Sequence, residues 1–89
     1  MDEILIFGEL VKELRNQRDL SQEKLASKTG LDRTFISLIE NGKRNPTLLT
    51  LLKISGAFGL ALSELMLEFE KRLGEVEENK PEKTPGGKV

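Results

Sequence analysis

The sequence predicts an all-α domain of five helices, the last of them extended. Three observations carry that expectation. Apolar residues recur along the chain at the i, i+3, i+4, i+7 spacing of one helix face. Helix-capping and helix-stopping residues, among them Ser21, Gly30, Asp32, Gly42, Thr47 and Gly59, divide it into short segments. No stretch shows the apolar–polar alternation of a half-buried strand, and no internal repeat is visible.

The first helix is expected from Ile4 to Arg18, with Phe7, Leu10, Val11 and Leu14 forming its buried stripe. "RDLS" interrupts it. Ser21 is a natural N-cap for the second helix, and Glu23 stands where the helix dipole favours a negative charge. Leu25 and Ala26 face inward on that helix, which ends at Thr29 with Gly30 suited to a left-handed C-terminal turn. Asp32 caps the third helix, Ile36 and Ile39 supply its buried contacts, and Asn41-Gly42 stops it. After the loop "KRNPT", with Asn45 or Thr47 as its cap, the fourth helix is expected from about Thr47 to Phe58, with Leu48, Leu51, Leu52, Ser55 and Phe58 on its core face. The fifth begins near Leu62 or Ser63 and runs to about Leu73. Residues 1–74 thus form one domain, and 75–89, "EVEENKPEKTPGGKV", are expected to be a disordered polar tail.

Composition removes several classes of function. The 89 residues contain neither cysteine nor histidine. Disulfides, the usual zinc sites and the commonest general base are all missing, so no metal or cofactor is expected. Carboxylates are plentiful, but none stands with a nucleophile in a recognisable catalytic arrangement, and the chain is not expected to be an enzyme. No apolar run approaches the roughly 20 residues of a spanning helix. The opening "MDEILIFGELVKE" is acidic where a signal peptide would be basic, so no membrane association and a cytoplasmic location are expected.

The net charge of −1 hides an uneven distribution. Acidic residues dominate the first 14 positions. Between 15 and 46, Arg15, Arg18, Lys24, Lys28, Arg33, Lys43 and Arg44 outnumber Asp19, Glu23, Asp32 and Glu40. The positive surplus therefore falls on the two shortest helices and the loop after them, as a nucleic-acid footprint would.

Two short helices joined by a tight glycine turn project the second one away from the body, the arrangement in which that helix enters a DNA major groove. The segment "LSQEKLASKTGLDRTFISLIENGKRNPTLLTLLKISGAFGL", residues 20–60, resembles the DNA-binding domain of the phage Cro and repressor-like helix-turn-helix family. Gln22, Leu25-Ala26, Gly30, Ile36, Ile39, Glu40 and Gly42 carry the likeness, which extends over about residues 7–73. "LDRTFIS" and "RNPTL" further resemble the controller proteins of restriction-modification systems.

The resemblance implies a lambda-repressor-like fold with a recognition helix over about 33–41. It implies base contacts from Arg33, Thr34 and Ser37, where arginine matches the guanine O6 and N7 acceptors. It implies phosphate contacts from Gln22, Phe35, Lys43, Arg44 and Asn45, and a partly buried ion pair of Arg15 with Glu40. Leu38 departs from the polar residue common at its position.

Apolar residues on the fifth helix exceed what so small a body readily buries, and Leu49 stands outward where relatives carry charge. A homodimer is therefore expected, with Leu49, Met66, Phe69 and Leu73 at the interface, binding double-stranded DNA at a palindromic operator as a transcriptional regulator. RNA polymerase or a partner protein is a further candidate, with Glu9 and Glu13 as an acidic contact surface. Two alternatives stand beside this reading: an antitoxin-type regulator with a toxin partner, and a protein-binding helical module without DNA binding.

Overall fold

The computed structural model describes residues 2–77. Its five helices are α1 (Glu3–Gln17), α2 (Gln22–Thr29), α3 (Arg33–Glu40), α4 (Leu48–Ala57) and α5 (Leu62–Glu77). No strand occurs among the described residues. Helix α1 lies centrally, packing on both α3 and α5, while α2 contacts α3 and α4, and α4 contacts α5.

The helix starts follow from capping chemistry. The Asp2 carboxylate accepts the Ile4 and Leu5 N–H groups, Ser21 Oγ accepts Lys24 N–H, and Thr47 Oγ1 accepts Thr50 N–H. At α5 the partner is reversed, with the Glu64 carboxylate accepting Ala61 N–H at 2.8 Å. Asp32 holds the N-cap position of α3 with extended backbone, but its side chain makes no capping bond, which corrects part of its expected role. Gly30 ends α2 at φ +74°, donating its N–H to Ala26 O.

The stripe expected on α1 is buried throughout, as are Leu25 and Ala26 of α2 and Ile36 and Ile39 of α3. Helix α1 also contributes Gly8. A Cβ at that position would stand 2.2 Å from Ile39 O and 2.8 Å from Glu40 O, so the glycine is what lets the end of α3 approach α1.

Helix α4 departs from expectation in its rotation. Leu48 and Leu52 point outward, 66% and 47% exposed, whereas Thr50 and Ile54 are buried with Ser55 and Phe58. Thr50 can be buried because its hydroxyl pairs with that of Thr47 at 3.0 Å, and Ser55 Oγ donates to Leu52 O. Thr50, a polar residue satisfied by the Thr47 hydroxyl, thus takes a place on the face expected for Leu48, Leu51 and Leu52.

Helix α5 is longer than expected, continuing through Gly74 to Glu77. A mid-helix glycine costs only about 1 kcal/mol against alanine, too little to force a stop. Arg72 on the same helix is ion-paired with Glu13 of α1. The rest of the expected polar tail, from residue 78, lies outside the described residues. The domain itself also covers more of α5 than anticipated: Leu65 is fully buried and Phe69 meets Phe7 edge to face, ring centroids 5.5 Å apart. Met66 and Leu73 are half-buried.

Candidate nucleic-acid interface

The eight residues of α3 divide by direction. Ile36, Ile39 and Glu40 are buried, and their spacing turns Arg33 and Thr34 outward into solvent. Ser37, one turn on, is half-buried, and its hydroxyl accepts from the Asn41 side-chain amide at 3.5 Å. Leu38 is also half-buried, which explains how an apolar residue is accommodated there.

The inner end of α3 is fixed by charge. Arg15 Nε donates to Glu40 Oε2 at 2.6 Å and Nη2 to Oε1 at 3.0 Å, while Nη1 donates to Leu20 O at 2.7 Å. Gln22 Nε2 donates to the same Glu40 Oε1 at 3.0 Å. One carboxylate therefore ties α1, the chain entering α2, and α3 together, and both ionic side chains are largely removed from water. Gln22 sits at the start of α2, half-buried, with one of its amide donors already committed to this network.

The loop after α3 returns beside it. Gly42 N–H donates to Ile39 O and Lys43 N–H to Leu38 O, after which Lys43, Arg44 and Asn45 are all exposed. The Arg44 guanidinium lies 5.1 Å from the Phe35 ring centroid. Phe35 itself is half-buried and packed against the core, with the Arg44 guanidinium over its ring. The outward cations Arg33, Lys43 and Arg44 thus belong to one helix and the loop that folds back from it, while Asp32 is the exposed acid at the helix head.

Several features were not foreseen from the sequence: the Gln22–Glu40 bond, the Phe35–Arg44 stack, the Asn41–Ser37 contact and the space requirement at Gly8. Of these only Asn41 left a signal, its i, i+4 relation to Ser37. Among the described residues no single helix is long and apolar enough to cross a membrane; α4 with Leu62–Val76 reaches that length only as a pair bent by 101°.

A compact five-helix body with a short outward helix behind a glycine turn defines a class of DNA-binding regulators. The chain belongs to the helix-turn-helix family, whose model matches residues 11–65. It is 52% identical over 73 residues to the control protein C.MunI of a Mycoplasma species, a match covering 80% of this chain and 99% of that protein. Its fold is similar to the crystal structure of the restriction-modification controller protein C.AhdI from Aeromonas hydrophila. That match has a TM-score of 0.70 and 38% identity, covering 73% of this chain and 98% of the other. It is also similar to the controller protein C.Esp1396I, solved as a tetramer in complex with its natural 35 base-pair operator. Here the TM-score is 0.76 and the identity 29%, over 82% of this chain and 96% of that one. The chain is accordingly a transcriptional regulator of the controller-protein kind, and the protein-binding module without DNA contact is set aside.

Proposed function

We propose that this protein binds a palindromic operator as a homodimer, inserting the first turn of α3 into the major groove of each half-site. The observation that carries the reading is the outward pair Arg33 and Thr34 at the head of a helix whose other face is locked into the core. Arg33 offers two donors to a guanine edge, Thr34 a hydroxyl and a methyl group, and Ser37 a hydroxyl hydrogen. Gln22, with its second amide hydrogen, Lys43, Arg44 and Asn45 take the backbone phosphates and set the register.

Dimerisation is supported by Leu49, 59% exposed, and by Leu48, Leu52 and Leu67, all left in water by the single chain. Met66, Phe69 and Leu73 complete the surface, although Phe69 spends much of its ring on Phe7. A two-fold axis there would set the two recognition helices about one DNA turn apart. Such a regulator acts in the cytoplasm and performs no catalysis. If polymerase is touched through the acidic face of α1, Glu9 is the freer group, since Glu13 is held by Arg72.

The test is selection of bound sequences from random duplex DNA, with wild type and Arg33→Ala in parallel. The expected result is a palindromic motif whose base preference is lost in the variant at the half-site positions Arg33 reads. Failure to enrich any motif, or an identical motif from both proteins, would overturn the assignment.

A further inference from the structure

Two arginines in this domain stack on phenylalanine rings at the same distance, and they differ in what their edges do. Arg18 lies 5.1 Å from the Phe58 ring centroid, and its donors are used within the fold: Nε on Phe58 O at 3.0 Å and Nη1 on Leu14 O at 3.1 Å. It is a structural clamp between α1 and the end of α4. Arg44 lies 5.1 Å from the Phe35 ring centroid, and among the described residues no carbonyl or carboxylate is bonded to its guanidinium. A guanidinium held over a ring by cation–π attraction keeps N–H donors available for another acceptor.

The surroundings make this more than a chance contact. Phe35 is held from behind by the core, so its ring is a fixed platform on the flank of α3. The chain leading to Arg44 is fixed as well, through Gly42 N–H on Ile39 O and Lys43 N–H on Leu38 O. Arg44 is nine positions beyond Phe35 in sequence, yet its charge is brought over the ring of Phe35, the residue that follows Arg33 and Thr34 on α3.

We propose that Phe35 is a positioning residue for Arg44: its ring presets the guanidinium on the flank of the recognition helix, with its N–H donors not bonded to any described residue, to receive a DNA backbone phosphate. This rests on the major-groove reading above and gives Phe35 a different role from the direct phosphate contact that family resemblance implied. A loop arginine without the platform would have to be ordered at the moment of binding, and that cost would appear as lost affinity.

The experiment measures the affinity of the full chain for its selected operator duplex across a series of salt concentrations, with a double-mutant cycle at the two positions. Arg44→Ala is expected to reduce the slope of log affinity against log salt by about two for the bound dimer, the signature of one phosphate contact from each protomer. Phe35→Leu, which keeps an apolar side chain on the core, is expected to weaken binding about three- to tenfold with the selected motif unchanged. Phe35→Tyr keeps a ring and is expected to restore binding, and Phe35→Leu with Arg44→Ala should be no weaker than Arg44→Ala alone. Losses that simply multiply in the double variant would overturn the positioning role.

A second measurement needs neither DNA nor a stable leucine variant. The ring current of Phe35 should displace the Arg44 side-chain proton resonances in the free wild-type protein, and unshifted resonances would also overturn the proposal. Operator binding by wild type with no coupling between the positions would sink only this inference. Absence of specific binding by wild type would sink the functional reading with it.

Discussion

Replacing Glu40 by alanine isolates what the buried ion pair contributes. The carboxylate accepts three hydrogen bonds, two from Arg15 and one from Gln22, and its removal leaves the Arg15 side chain, only 11% exposed, with Leu20 O as its remaining partner. Breaking such a pair from one side costs about 3–5 kcal/mol, because an uncompensated charge stays behind. Summing two charged hydrogen bonds at about 1.5–3 kcal/mol each reaches a similar figure. A domain of this size holds roughly 4–11 kcal/mol in total, so the variant should lose about a quarter of its stability or more. The corresponding drop in melting temperature is at least about 12 °C. Urea unfolding followed by circular dichroism measures the loss. A cost under about 1 kcal/mol would refute the reasoning, since it would mean that water already reaches Arg15. The companion variant, Arg15→Met with Glu40→Leu, removes both charges and should recover most of the loss, because the desolvation penalty disappears with the attraction.

Four further substitutions are diagnostic, all read by the same unfolding assay. Gly8→Ala should destabilise by about 1–3 kcal/mol despite alanine's better helix propensity, because the new methyl meets Ile39 O at 2.2 Å; a neutral result would show that α3 can slide away. Ser21→Ala should cost about 1 kcal/mol through the lost bond to Lys24 N–H, whereas Asp32→Ala, with no capping bond to lose, should cost no more than a few tenths. Asp19→Gly should stabilise by up to about 1 kcal/mol, since Asp19 sits at φ +55° in the left-handed region; a loss of stability would mean that its side chain does more there than the backbone suggests.

What could be read without coordinates were the features written locally. The α1 stripe, the Ser21 and Thr47 caps and the left-handed turn at Gly30 each depend on residues within a turn or two of one another. The pairing of Arg15 with Glu40 spans 25 positions, and no spacing rule connects them; it was suggested only by resemblance to a family. Gly8 shows the same limit from another side. A glycine inside an amphipathic pattern looks like a weak point in a helix, and nothing nearby in sequence says that the carbonyls of a different helix need its space. Likewise the Phe35 ring and the Arg44 guanidinium meet because the loop folds back, a fact carried by backbone bonds to Leu38 and Ile39.

Helix α4 is where periodicity itself failed, and the reason bears on function. Leu48, Leu49, Leu51 and Leu52 surround most of its circumference, so the apolar pattern alone does not choose an inward face. The choice is made by residues that look polar: Thr50 and Ser55 satisfy their hydroxyls within the helix and are buried beside Ile54. That rotation turns three of the four leucines to water, at 66%, 59% and 47% exposure. For an isolated domain this is a poor arrangement, since burying a leucine side chain is worth about 1.5–3 kcal/mol and these forgo much of it. The same arrangement is sensible when a second copy covers the face, because the monomer core is then closed by Thr50 and Ile54 while the leucines are kept for association. The unexpected rotation of α4 and its outward leucines therefore have one cause: a sequence records every apolar face a chain will bury, and does not say which of them its own fold will cover.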